Sequence, residues 1–296
     1  MTSPLVVIAG PTASGKSALA MQIAQQYDGE IICADSRTVY KGMDIGTAKP
    51  TADDQAAVPH HLLDVAEPGQ SFSAADFKQR TLQAINDITR RGKLPIMVGG
   101  TGLYIDAVIF DYQFGEPADQ KRRVKLQAKT IEELQQMCLA NGYQLPLNTK
   151  NKRHLIRAIE MGGVMQQRLQ LRSNTLVVAL TTDRDNLKDK ITERAHEMVA
   201  AGVLDEAKRL GEKYGWDNEA MTGNIYPILR PVIEGKESLD AALDRFITSD
   251  MQLAKRQMTW LRRNPYIIWG TSEQLKTAIE HFVQQNTLNK SIPEAL

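Results

Sequence analysis

A layered α/β fold built on a parallel sheet is the architecture this chain predicts, and three observations carry it. The apolar run Leu5–Ala9 leads directly into Gly10-Pro11-Thr12-Ala13-Ser14-Gly15-Lys16-Ser17, after which the sequence continues as a good helix former. Over the first ~110 residues, strand-like and helix-like segments alternate. A late apolar run, residues 176–180, then returns the chain to strand after a charged, Gln-rich stretch.

Each element follows from its local chemistry. Residues 5–9, 30–34 and 94–98 are strand candidates, short and largely apolar as buried parallel strands require. A helix is expected over 17–27 and another over 76–91, with Ser73 as N-cap and Gly92 closing it. Residues 37–70 are rich in Gly, Pro, Asp and Thr and predict loops with short helices, at the strand ends where α/β proteins place their sites. From residue 116 to about 172 the pattern becomes charged and helical, broken at Gly142 and Pro146, and predicts an inserted helical hairpin. Helices are expected over 184–214, where Leu187, Ile191, Ala195, Met198 and Val199 recur at helical spacing, and over 238–261. A last short strand is expected at 266–269, and the polar residues after about 285 are expected to fray. The core should therefore comprise residues 1–114 and 173–296, with 115–172 as a small helical insertion.

The octapeptide Gly10 to Ser17 fits the phosphate-binding pattern G-x-x-x-x-G-K-[ST]. Its strand–loop–helix context makes the expected fold a P-loop NTPase-like parallel sheet flanked by helices. The glycines let backbone N–H groups converge on a diphosphate at a helix start, Lys16 adds a point charge, and Ser17 can help hold a magnesium ion. Asp35 and Ser36 follow the second strand and should face this loop, where Asp35 fits a metal or hydroxyl ligand, a general base for an amine, or a helix cap.

Composition narrows the class. No apolar run approaches the ~20 residues of a membrane span, and there is no signal-like N-terminus, so no membrane partner and a cytoplasmic location are expected. Cys33 and Cys138 form no disulfide framework or metal pattern, and Cys33 sits in an apolar run as a core residue. The net charge of +1 conceals clustering: Lys121-Arg122-Arg123, Lys150 to Arg157, Arg168 and Arg172, then Lys255-Arg256 and Arg262-Arg263. Such clusters in a near-neutral chain favour a directed basic surface for a polyanion. His60 and His61, with no third ligand spaced for zinc, fit structural polar roles.

Further motifs sharpen the expectation. They are Gly42-Met43-Asp44-Ile45-Gly46-Thr47-Ala48-Lys49-Pro50, Gly99-Gly100-Thr101-Gly102-Leu103-Tyr104 and Ala254-Lys255-Arg256-Gln257-Met258-Thr259-Trp260. With the phosphate loop, and over nearly the whole chain, they resemble the tRNA dimethylallyltransferase family. The resemblance implies transfer of a dimethylallyl group from dimethylallyl diphosphate to the exocyclic amine of the adenine 3′ of the anticodon, with Mg2+. It implies catalytic roles for Thr12, Asp35 and Arg194: Thr12 and Lys16 at the leaving group, Asp35 accepting the amine proton, and Arg194 binding pyrophosphate. Gly10, Pro11, Ala13, Ser14, Gly15 and Ser17 complete the diphosphate cradle. Contacts to the tRNA anticodon stem–loop fall on Asp35, Ser36, Arg37, Thr38, Thr101, Arg153, His154, Leu155, Ile156 and Arg157, with Arg123 a further candidate. Gln257 and Trp260 fit supporting positions rather than contacts, Arg256 fits either, and a monomer is expected.

Three departures bear on RNA recognition. The insert is short for a bacterial member; Ile225-Tyr226-Pro227 replaces a Gly-Tyr-Lys/Arg turn; Thr38 and His154 stand where Gln and Arg are frequent. Ile cannot supply a glycine's positive φ, and Pro removes a donor and a cation, so the local loop must differ there. Two other classes remain compatible with the residues. One is a small-molecule P-loop enzyme, a kinase or an adenylate isopentenyltransferase; the other is an RNA-binding P-loop protein that has lost catalysis.

Overall fold

The computed structural model describes residues 3–114, 119–146, 148–163, 170–223 and 225–290. Arg168 and the tail 291–296 lie outside the described residues. The chain forms two compact units, Met1–Ile109 with Leu171–Leu296, and Phe110–Gln170. The larger unit begins with β1 (Leu5–Ala9), α1 (Lys16–Gln26), β2 (Gly29–Cys33), α2 (Ala52–Ala57), β3 (His60–His61), α3 (Ala74–Arg90), β4 (Leu94–Gly99) and α4 (Gly102–Ile109). The smaller unit holds α5 (Gln120–Gln127), α6 (Ile131–Ala140) and α7 (Lys152–Glu160). The larger unit resumes with β5 (Thr175–Leu180), α8 (Arg184–Ala200), α9 (Val203–Tyr214), α10 (Tyr226–Ile233), α11 (Leu239–Leu261), β6 (Ile267–Gly270) and α12 (Ser272–Lys290).

All six strands are parallel, in the order β3-β2-β4-β1-β5-β6. Every residue of β1, β2 and β4 is buried, which is why these strands read as largely apolar runs, Glu30 of β2 being the charged exception. β1 lies between β4 and β5, so the chain leaves it toward one side of the sheet and later returns on the other. The carboxyl end of β1 is therefore the switch point at which open α/β sheets bind ligands. Helix α1 packs Leu19, Ala20, Ile23 and Ala24 into the cluster formed by β1, β2 and β4, which fixes the phosphate loop above it.

Several elements differ from expectation. The 184–214 segment is two helices, because Gly202 adopts φ +93 and turns the chain between α8 and α9. The insert is not a hairpin; its three helices close a small core of Leu126, Leu134, Cys138, Leu155, Ile156 and Ile159. Helix α12 continues to Lys290 instead of fraying near 285, anchored by buried Leu275 and Ile279. Helix α3 starts two residues early because Ser73 and Asp76 form a complete capping box. The helices α2, α4 and α10, and the two-residue strand β3, were not individually foreseen.

One buried charge stitches the β3 edge. Glu30 on β2 is 3% exposed; His61 Nε2 lies 2.6 Å from its Oε2, and Arg91 Nη2 donates to the same oxygen at 2.6 Å. His61 is thus structural, as expected, and His60 Nδ1 is 2.7 Å from the Val58 carbonyl. Burial pushes the Glu30 carboxyl up, but hydrogen bonds and charge from Arg91 and His61 outweigh it and hold it below its usual value. A carboxyl depressed in the folded state stabilises fully above its unfolded pKa, and that contribution fades as pH falls through the folded pKa. Glu30→Gln should therefore cost about 1–2 kcal/mol in denaturant unfolding at pH 7, and the difference from the parent should shrink below about pH 4. A pH-independent difference would remove the pair from this role.

Candidate active site

The phosphate loop is shaped by backbone more than by side chains. Gly15 is the N-cap of α1 at φ +88, and no side chain caps the helix start. Ala13 holds φ +58, a strained position for a residue with a Cβ. The first turn of α1 thus offers N–H groups without intrahelical acceptors toward the same space. Lys16 Nζ donates to the Pro11 carbonyl at 3.1 Å, and the Thr12 N–H donates to Gln257 Oε1 at 2.9 Å. Gln257 on α11 therefore braces the loop, and it also lines the cavity described next. Trp260 braces α4: its Nε1 donates to Asp106 at 2.9 Å, and a Cβ on Gly102 would sit 2.1 Å from its ring.

A cavity of about 610 Å³ opens at this switch point. Its walls include Thr12, Ala13, Ser14, Gly15, Lys16 and Ser17, and across the sheet top Asp35, Ser36, Arg37, Thr38 and Thr101. Arg194 on α8 and Asp250 on α11 complete a ring of alternating charge with Lys16 and Asp35. Gly10 and Pro11 are buried and lie outside the lining, so they shape the loop and do not face the space. The Lys16 ammonium is lowered to about 8, chiefly by burial; Asp35 and Asp250 oppose the fall and Arg194 adds to it.

Asp35 sits two residues beyond β2. Its Oδ1 accepts the backbone N–H of Arg37 at 2.7 Å and of Thr38 at 3.4 Å, an Asx-type turn that orients the carboxylate. The Ser36 N–H donates to Thr101 Oγ1 at 3.3 Å, tying the turn after β2 to the one after β4. Gly99 is required there, because a Cβ would meet the Ala34 carbonyl at 2.0 Å. Arg194 pairs through Nη2 with Asp250, leaving its buried Nε without a partner. Two further cavity residues have buried hydroxyls without partners, Ser14 and Thr38. Such orphaned donors are costly unless a ligand satisfies them.

The remaining expected residues divide. Arg37 is committed internally, donating to the carbonyls of Glu219 at 2.8 Å and Ala220 at 3.4 Å and to Thr222 Oγ1 at 3.2 Å. In the smaller unit, Arg153 and His154 are exposed on α7, whereas Leu155 and Ile156 are buried in its core, so their side chains do not reach the surface. Arg123 and Arg157 both pair with Glu160, at 3.1 and 3.5 Å. Asp250 was missed, although a carboxylate in the otherwise apolar stripe Ala242, Leu243, Phe246, Ala254 and Leu261 was a legible signal.

The Ile225-Tyr226-Pro227 departure has a structural explanation. Ile225 takes φ −85 and is buried in an apolar cluster, and Pro227 occupies the first turn of α10, where no N–H is needed. A helix starts at Tyr226.

Residues 38–264 match the model of the family described as IPP transferase. A tRNA dimethylallyltransferase of Anoxybacillus flavithermus is 39% identical over 283 residues, covering 91% of this chain and 90% of the relative. That of Bacillus subtilis is 37% identical over 282 residues, covering 90% of each. Among solved structures, the full-length tRNA isopentenylpyrophosphate transferase of Bacillus halodurans superposes with a TM-score of 0.74 at 34% identity, covering 98% of both chains. A eukaryotic dimethylallyltransferase acting on tRNA superposes with a TM-score of 0.79 at 26% identity, covering 96% of this chain and 80% of that one.

Proposed function

The chain belongs to the IPP transferase family, and on that footing we propose that it transfers a dimethylallyl group from dimethylallyl diphosphate to the exocyclic amine of the adenine 3′ of the anticodon in tRNA. The observation that carries this reading is the shared cavity, which sets a phosphate loop and a guanidinium opposite an oriented carboxylate. In the reaction the amine nitrogen bonds to the allylic carbon, the carbon–oxygen bond to diphosphate breaks, and one amine proton must leave. The loop N–H groups, Lys16 and Arg194 line this cavity and would meet the charge that pyrophosphate gains, while Asp35, on the same cavity, would accept the proton. Thr12, which lines the same cavity, would contact the leaving group.

A divalent cation fits this donor set. Ser17 supplies a cavity hydroxyl, and the described residues contain no cluster of three His, Cys, Asp or Glu that would cage a metal. Magnesium keeps several of its waters and leans on substrate phosphates rather than an all-protein cage, and a phosphate-loop hydroxyl such as that of Ser17 is a common protein ligand for it. Bound there, it would neutralise diphosphate charge. Arg153, His154 and Arg157 of the smaller unit, with Arg123, supply basic groups for the anticodon stem. No helix among the described residues is long and apolar enough to cross a membrane.

The test is incubation with labelled dimethylallyl diphosphate and an anticodon stem–loop bearing the target adenine, against AMP and ATP. Label in the stem–loop, with binding that weakens as salt rises, is expected. Prenylation of AMP alone, or phosphoryl transfer from ATP, would sink the reading.

A further inference from the structure

Behind the cavity wall lies a buried carboxylate that none of the chemistry above uses. Glu206 on α9 is 5% exposed and accepts four hydrogen bonds. Its Oε2 takes the backbone N–H of Asp44 and of Ile45, both at 2.9 Å; its Oε1 takes that of Gly46 at 2.8 Å and the Tyr226 hydroxyl at 2.9 Å. Three successive N–H groups converging on one anion form a nest, here filled by the protein's own side chain. Gly46 of this nest, Thr47, Ala48 and Pro50 just after it, and Tyr226 itself all contribute to the cavity wall, whereas Glu206 does not.

The parts interlock. A Cβ on Gly46 would fall 2.6 Å from Tyr226 Cζ, so the glycine lets the ring close against the loop. Burial, followed by the Glu206 charge, holds the Tyr226 hydroxyl far above its usual range, so it remains a donor. At the other end of the loop, Lys49 Nζ donates to the Tyr40 carbonyl at 3.0 Å and to Asp44 and Asp64 at 2.5 and 2.7 Å. Pro227, in the first turn of α10, pre-sets the helix that presents Tyr226.

We propose that Glu206, working through Tyr226 and the 44–46 N–H groups, is a positioning residue that sets the 44–50 wall against which the acceptor and the isoprenoid carbon are aligned. The proposal rests on the prenyl-transfer reading. Because the phosphate loop lies on other elements, loss of the nest should misplace reacting groups without disturbing diphosphate capture. A wall displaced by about 1 Å is enough to cost on the order of 10²-fold in rate.

The experiment compares the parent, Glu206→Gln, Tyr226→Phe and the double variant in stem–loop prenylation, with pyrophosphate affinity and thermal melting measured alongside. Glu206→Gln should lower kcat by about 10²-fold and Tyr226→Phe by about tenfold, while pyrophosphate affinity stays within about twofold. The double variant should be no slower than Glu206→Gln, since the effect of the Tyr226 hydroxyl runs through Glu206. A folded Glu206→Gln with the parent's kcat would overturn the proposal, as would parallel loss of kcat and pyrophosphate affinity. Should Glu206→Gln fail to fold, Tyr226→Phe decides: a slowed kcat supports the proposal and an unchanged one overturns it. An inactive parent would overturn the functional reading and this inference with it, whereas an active parent with unchanged variants would overturn the inference alone.

Discussion

Asp35→Asn should slow single-turnover prenyl transfer by about 10²-fold or more, while pyrophosphate affinity is largely retained. The substitution isolates the proton-accepting role because of how Asp35 is held. Both of its hydrogen bonds run to Oδ1, from the Arg37 and Thr38 N–H groups, and an asparagine carbonyl can accept both. The turn should survive and the second oxygen becomes an amide nitrogen, so the change removes the acceptor and spares the geometry. The measurement belongs near pH 7. Lys16 titrates at about 8 and Asp35 is among the charges that raise it, so a more alkaline assay would mix loss of the base with loss of the ammonium. A normal single-turnover rate with pre-bound diphosphate would take Asp35 out of the mechanism.

The asymmetry between Asp35 and its supports shows what sequence can and cannot disclose here. The phosphate loop was legible because its chemistry is local: a buried strand, two glycines and Lys16 within a few residues. The parallel sheet was legible for a similar reason, since burial on both faces leaves short apolar runs in β1, β2 and β4, interrupted in β2 only at Glu30. Gln257, Glu206 and Asp250 act across gaps of 245, about 160 and 56 residues, and local periodicity does not record such pairings. Ile225-Tyr226-Pro227 shows the opposite error. A missing glycine and an added proline look like damage when compared with a turn, yet they suit a helix start whose tyrosine reaches Glu206. The insert gave its composition away but not its architecture, because Leu155 and Ile156 lie between basic residues yet point into a core built from α6 and α7.

Arg194→Ala should weaken pyrophosphate binding and lower the transfer rate by about 10²–10³-fold, and the larger question is whether that loss is chemical or structural. Arg194 has two commitments. Its Nη2 pairs with Asp250, whose side chain is 4% exposed, while its buried Nε lacks a partner and the side chain lines the cavity. Removing the guanidinium takes away the ion-pair partner at Asp250 Oδ2, which for a buried pair costs about 3 kcal/mol of stability. A slow enzyme could therefore simply be a loosened one. The double variant Arg194→Met/Asp250→Leu separates the two, since an apolar pair of similar volume restores packing without stranding a charge. Melting temperature should then return close to the parent's value while pyrophosphate affinity and rate remain low. Recovery of rate together with stability would make Arg194 a structural partner of Asp250 alone. Arg194→Lys sharpens the distinction: it keeps the positive charge and can still pair with Asp250, but a single ammonium cannot also present the second donor that Nε supplies. It should therefore melt like the parent and turn over like the alanine variant.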